Sequence, residues 1–213
     1  MEVNNLKIKK ILLEIGEWVL CFVIAYILYL LLNYFVGAIS GVKQVSMYPT
    51  AKEGEKLLIQ RPTIFKKELK HGDIITFEAP IDKAELVDVD KSDPSAVYDE
   101  YTGFNAFLYS FMDIGKTSYV KRVIGIAGDH IVITEAGEVF RNDKKLEESY
   151  LRDGKTNKIG DYTDIIVPKD TVFAMGDNRL QSKDCREFGC IPINKVNGYV
   201  IMRVWPFSRW GKV

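Results

Sequence analysis

Residues 18–32 read WVLCFVIAYILYLLL, from Trp18 to Leu32 without one charged or amide side chain. Past Asn33 the apolar character continues through Ile39, so the 22 residues of 18–39 hold a single amide. At about 1.5 Å rise per residue that run crosses a hydrocarbon core of roughly 30 Å, and it is expected to be one transmembrane helix. A buried core helix would need partner helices, and the rest of the chain reads mostly as strands. Trp18 and Tyr34 stand near the ends, where amphipathic rings suit the headgroup zones. Lys7, Lys9 and Lys10 precede the run. By the positive-inside tendency they keep residues 1–17 cytoplasmic and send 40–213 to the extracytoplasmic side, against a weaker opposing vote from Lys43 and Lys52. A cleavable signal peptide shares a basic start and an apolar run, and Gly37 to Gly41 offers small residues, but the run is longer than a typical signal h-region.

Outward from the anchor, the chain of 213 residues has an ordinary globular composition, 47% hydrophobic and 27% charged. Lys plus Arg and Asp plus Glu are 29 each, so no cationic field recruits nucleic acid. Three cysteines cannot make an all-thiolate zinc centre, and a mixed one would consume nearly every Cys and both His, so a structural metal is disfavoured. Short alternating runs recur at 73–77, 119–126, 130–134, 138–141, 165–167, 171–174 and 199–204, most of them bounded by Gly, Pro, Asn or Asp turns. With no helical pattern between most of them, they predict a mainly β exported domain of barrel or sandwich type, with 130–170 as a small accessory β region. The stretch 78–118 is an insertion, acidic in its first half and aromatic in its second. Its Asp88, Asp90, Ser92 and Asp99 fall at calcium-loop positions, but Asp93 stands where that loop requires Gly, so a solvated loop is the default. The aromatic half is expected to pack on the sheet.

Three segments carry candidate chemistry. Ser46-Met47-Tyr48-Pro49-Thr50 offers a hydroxyl in a Pro-fixed turn. In Tyr119 to Gly125 a Lys and an Arg interrupt an apolar β pattern. Strict alternation puts Lys121 with Tyr119 and Val123 on one face and Arg122 with Val120 and Ile124 on the other, so one of these cations is expected to be buried. A solvated Lys titrates near about 10.4, and burial lowers it, so a neutral amine beside a Ser hydroxyl makes a base that needs no His. The third segment, Gly176 to Gly189 (GDNRLQSKDCREFG), is a polar loop entered from an apolar strand. Taken singly, each has a plainer reading: a common turn, a snorkelling strand-edge lysine, a structured polar loop.

In combination and in this order behind one membrane run, the segments resemble the type I signal peptidases, membrane-bound Ser-Lys endopeptidases that remove leader peptides from exported proteins. The nucleophile box is Ser46 to Thr50, the short strand box Gly72-Asp73-Ile74, the lysine box Tyr119 to Asp129 and the last box Gly176 to Gly189. The resemblance implies Ser46 as nucleophile, Lys121 as general base and later acid, and Ser182 as the group that orients the Lys121 amine. It implies an Asp184–Arg186 ion pair under the site, which Arg122 could join, and a Ser46 backbone N–H in the oxyanion hole. No metal or organic cofactor is required. The partners implied are membrane lipid and secretory preproteins with small residues at −1 and −3, bound as an added β strand.

Three departures from the family pattern stand out. Cys185 replaces a Ser before Arg186. Gln44 occupies the place where some members put an oxyanion-hole Ser, so either its amide donates or the hole relies on backbone alone. The 78–118 stretch is longer than in compact members. Cys185 and Cys190 lie where an oxidising environment permits a disulfide, and bridged and free forms are left even. Trp205 to Trp210 suits a membrane interface or a terminal strand over the core equally. The rival function is a membrane-tethered, non-catalytic relative that binds exported or pilus subunits, which would have no need of a buried amine.

Overall fold

The computed structural model describes residues 2–35, 37–61, 68–81, 83, 93–103 and 117–213. The chain begins with helix α1 (Glu2–Phe35), whose section 9–35 is long and apolar enough to cross a membrane. None of that section is buried against the rest of the chain, and side chains such as Trp18 and Phe22 are exposed. A core helix would hide these groups; this one leaves its whole circumference to another solvent.

Strand β1 (Gly37–Gly41) follows almost at once. Here the expected 18–39 span is corrected, because the helix ends at Phe35 and residues 37–39 are already strand. The reason lies at Gly37. A Cβ there would stand 2.4 Å from the carbonyl oxygen of Ile59, so only glycine lets β1 close onto β2 (Lys56–Gln60). Apolar composition alone does not distinguish the last turn of such a helix from the strand that continues it.

The remaining strands are β3 (Ile74–Glu78), β4 (Ser118–Ile126), β5 (His130–Ile133), β6 (Val139–Arg141), β7 (Lys144–Lys145), β8 (Asp164–Ile166), β9 (Thr171–Met175), β10 (Ile191–Pro192) and β11 (Val196–Trp205). They form two antiparallel sheets, a seven-stranded one in the order β1-β2-β11-β3-β4-β9-β10 and a four-stranded one in the order β7-β6-β5-β8. The fold is thus mainly β behind one apolar helix. Central strands β3 and β9 are buried at every position, so the polar members of these two runs, Thr76, Glu78 and Thr171, are enclosed as well. Ile75, Phe77, Phe173 and Met175 from these strands join Ile131 and Ile133 of β5 and Phe188 in one core. Each such side chain contributes about 1.5–3 kcal/mol by leaving water.

A second, smaller cluster of Val42, Met47, Ala51, Leu57 and Ile74 lies beneath the turn that carries Ser46. The insertion leaves at Glu78 and returns at Ser118, which are cross-strand partners in the β3–β4 pair. Its calcium-loop positions 88, 90 and 92 and its aromatic half lie outside the described residues. In the carboxyl-terminal stretch, Trp205, Phe207 and Trp210 are exposed, with ring centroids 5.1 and 5.9 Å apart, so these rings face outward rather than cap the core.

Candidate active site

Ser46 opens a tight turn after β1, in which Tyr48 N–H donates to the Val45 carbonyl and Ala51 N–H to that of Met47. The turn is held from two directions. From behind, buried Glu55 accepts from Arg203 of β11 (2.7 Å) and from Arg209, while the same two guanidiniums donate to the carbonyls of Thr50 and Pro49. From the front, the 176–178 loop takes hold: Asn178 N–H donates to the Ser46 carbonyl (3.0 Å), its Nδ2 to the Val45 carbonyl (3.1 Å), and the Thr50 hydroxyl to Asp177. With both carbonyls engaged, the backbone at Ser46 has little freedom and its hydroxyl is aimed by the fold.

What it is aimed at is Lys121. From the middle of β4, opposite Ile75 of β3, this side chain places Nζ 2.7 Å from Ser46 Oγ. Lys121 is 1% exposed and Ser46 7%. Burial is the largest influence on the amine and pushes it from 10.5 down to about 8; Asp184 and Cys185 pull it back, and Arg186 pushes it further down. Near neutral pH a usable fraction is therefore the free base, in contact with the one hydroxyl it could deprotonate.

Alternation along β4 sends Arg122 the other way. It does not join the Asp184–Arg186 pair, contrary to the expectation; its Nε and Nη2 instead fork onto Asp177 at 2.9 and 2.7 Å, and its guanidinium lies 4.2 Å above the Tyr150 ring. Asp184 is already closed around Arg186, whose Nε and Nη2 lie 2.7 and 2.8 Å from the carboxylate oxygens. Arg186 also donates to the Asn157, Arg179 and Ser182 carbonyls. Burial alone would raise the Asp184 carboxyl, but the hydrogen bonds and charge of Arg186, with the charge of Lys121, hold it below the usual range.

The short helix α2 (Cys185–Phe188) starts here, with Asp184 as its cap. A second buried guanidinium, Arg179, ties the loop to the accessory sheet side through Glu148 and Thr156.

Ser182 departs from its expected part. Its hydroxyl is buried, makes no hydrogen bond to the Lys121 amine and lies near the Asp184 carboxylate, which it helps to hold down. Instead it packs against Gly176, where a Cβ would lie 2.3 Å from Ser182 Oγ and 2.5 Å from the Ser46 carbonyl. Gln44 is exposed at the mouth of the site. Cys185 and Cys190 are free buried thiols rather than a bridge; burial pushes Cys185 well above its usual value and Cys190 up to about 12. His71 and His130 pair with Asp129 and Asp164 and take no part at Ser46.

Two clefts meet at Ser46. One, of about 380 Å³, is lined by residues of 40–44 and 117–120, with Val42, Met47, Ala51, Ile59 and Val120 as its apolar part and Arg61, Thr76 and Asn197 among its polar part, and it reaches Asn33 of α1. The other, of about 400 Å³, opens past Lys43, Glu53, Tyr119, Gln181 and Lys183.

Several of these groups were not assigned from the sequence. Asp177 and Asn178 lay in a quoted box without a role. The Arg203 and Glu55 clamp bridges 148 positions. Its one visible trace is an Arg interrupting an apolar strand, the same signal that marked Lys121.

Comparison with known proteins gives the family. The family described as "Signal peptidase, peptidase S26" matches residues 15–205. A Synechocystis protein named "Probable signal peptidase I-1" is 30% identical over 190 residues, covering 89% of this chain and 82% of its own. Signal peptidase IB of Staphylococcus aureus is 28% identical over 212 residues, covering 92% and 93%. A crystal structure of a signal peptidase I from Enterococcus faecalis aligns with 63% of this chain and 97% of its own at 22% identity and a TM-score of 0.39. By the extent of the family match and the Synechocystis relative, this chain belongs to the signal peptidase family, peptidase S26.

Proposed function

We propose that this protein is a membrane-anchored serine endopeptidase that removes N-terminal signal peptides from exported preproteins through a Ser46–Lys121 dyad. The observation that carries the reading is the 2.7 Å contact between Ser46 Oγ and the buried Lys121 amine. Neutral Lys121 takes the hydroxyl proton as Ser46 attacks the scissile carbonyl. The ammonium then gives that proton to the leaving amine, and the same amine activates the water that hydrolyses the ester. Negative charge on the tetrahedral intermediate falls to the Ser46 backbone N–H, with the Gln44 amide at the cleft mouth as the second donor.

The first cleft has the form that an extended substrate strand needs, with backbone on both flanks to pair with and an apolar floor. Met47, Ala51 and Val120 limit its depth, which fits small residues at −1 and −3. In this reading Asp184 and Arg186 form a fixed floor, Arg122 acts through Asp177 and Thr50 on the nucleophile turn, and Ser182 acts through packing on Gly176. Helix α1 anchors the domain in the membrane with residues 1–17 cytoplasmic and the catalytic domain outside. The anchor brings the site to where the scissile bond leaves the bilayer and so supplies proximity.

The test is cleavage of a preprotein with an Ala-x-Ala junction in detergent or lipid, with the cut located by mass. Wild type should cut directly after the last Ala and Ser46→Ala should not. Cutting that survives in a folded Ser46→Ala protein would sink the assignment.

A further inference from the structure

Residues 206–213 follow the stretch matched by the family, yet they return to the nucleophile. After β11 the chain passes through a 3₁₀ turn (Phe207–Arg209) and comes back along its own strand. Arg203 N–H donates to the Gly211 carbonyl at 2.8 Å, and Gly211 N–H to that of Arg203 at 3.2 Å. Arg203 Nη1 closes the loop from inside by donating to the Arg209 carbonyl at 3.0 Å. Folded back in this way, the segment delivers two side chains to one place. Arg209 donates through Nη1 to Glu55 and through Nη2 to the Pro49 carbonyl at 3.3 Å. Val213 packs on the cluster of Val42, Met47, Ala51, Leu57 and Ile74 beneath the Ser46 turn.

What this segment does for the turn can be separated from what holds the fold. Buried Glu55 also accepts from Arg203 Nε at 2.7 Å and from Lys52 N–H at 3.0 Å, so it keeps a cationic partner when Arg209 is lost. Arg209 itself is about one-third exposed. Its removal leaves no orphaned buried charge and should cost little stability. What goes is the direct hold on Pro49, three positions after the nucleophile.

We infer that Arg209 and Val213 are positioning residues for Ser46: the returning segment braces the nucleophile turn from behind, and the rate of cleavage depends on it more than folding does. The inference rests on the proposed Ser46–Lys121 mechanism. A displacement of about 1 Å at Ser46 Oγ is enough to spoil its 2.7 Å contact with the Lys121 amine. The opposing grip is at the front, where the Thr50 hydroxyl donates to Asp177. Both grips act on one short turn, so losing the two together costs more than the separate losses combined.

The experiment measures kcat and KM separately on the Ala-x-Ala preprotein, with the full chain in detergent, beside thermal unfolding. Arg209→Met should lower kcat by about tenfold, with KM within about twofold and the unfolding midpoint within about 3 °C of wild type. Arg209→Lys keeps a cationic donor and should return kcat to within about threefold of wild type. Val213→Ser should lower kcat by about threefold, whereas Lys212→Met, at the exposed neighbouring position, should leave it unchanged. Arg209→Met combined with Thr50→Val should lower kcat by at least about threefold more than the product of the single effects. A wild-type kcat in folded Arg209→Met, a loss of rate matched by a loss of folding, a loss confined to KM, or simply multiplicative effects in the double variant would overturn this inference and leave the proposed function standing. A wild type that cuts no preprotein would overturn both.

Discussion

Two buried cations lie close together under the nucleophile, and the protein treats them in opposite ways. Arg186 is fully enclosed, but its donors meet the Asp184 carboxylate and the carbonyls of Asn157, Arg179 and Ser182, and a guanidinium so surrounded remains a cation. Lys121 is buried just as deeply and meets one serine hydroxyl. A buried charge survives where acceptors match its donors, and an amine becomes a base where they are withheld. The difference between the two places is the chemistry of the site.

The largest way to break the contrast is to give position 121 a cation that cannot lose its proton. Lys121→Arg should lower kcat/KM for the preprotein by about a thousandfold or more, with Lys121→Met equally inactive as a control whose apolar side chain fits the buried site. Next is the well-solvated cation. Arg186→Met leaves Asp184 as a buried charge without its partner and should cost about 3–5 kcal/mol in thermal or denaturant unfolding, much of it restored by adding Asp184→Asn. In any Arg186→Met protein that remains folded, the uncompensated Asp184 should raise the Lys121 amine and move the pH profile of kcat/KM upward.

A smaller change touches only geometry. Gly176→Ala forces a methyl group against the Ser46 carbonyl and Ser182 Oγ, and should lower kcat by about a hundredfold with circular dichroism unchanged. Ser182→Gly in the same chain removes both Ser182 contacts, at Oγ and Cβ, leaves the Ser46 carbonyl contact, and should recover part of that loss.

The wild-type pH dependence sharpens the comparison without mutation. Under the proposed mechanism the neutral amine is the active form, so kcat/KM should rise with pH through about 8 and then level off. The sign for stability follows. Lys121 titrates near 8 folded and 10.5 unfolded, so its contribution to folding is full above 10.5 and is lost as pH falls toward 8. Lys121→Met should flatten that part of a wild-type curve of unfolding free energy against pH. The mildest expected effect is Arg122→Lys, which replaces a bidentate fork on Asp177 with a single contact and should reduce kcat/KM by about threefold.

How much of this was readable beforehand follows from the range of the forces. The anchor is a matter of local composition, and residues 18–32 announced it. The β character was visible in short alternating runs, although β3 and β9 are buried on both faces, so alternation there did not mark an outward side. Lys121 was marked by a cation interrupting an apolar strand, whereas Ser46 sat in what alone reads as a common turn and was singled out by the order of the segments taken together.

The partner of Arg122 was misread for a specific reason. Two carboxylates, Asp177 and Asp184, sit on one loop, and adjacency in sequence cannot say which of them faces which side of β4. Alternation had already put Arg122 opposite Lys121, and that geometric clue was the better guide. The Arg203 and Glu55 clamp and the packing of Ser182 on Gly176 depend on register between distant segments, which no local pattern carries.

Helix α1 ends at Phe35 and strand β1 begins at Gly37, and the nucleophile follows nine residues after that glycine. With almost no linker between helix and sheet, Ser46 stands eleven residues past the helix end, at most roughly 36–40 Å of extended chain. Under the proposed function the protein would therefore measure as well as cut: a junction carried too far above or held too deep within the bilayer would meet no hydroxyl, whatever residues it displayed. Splicing a flexible spacer between Phe35 and Gly37 would turn a gauge into a tether.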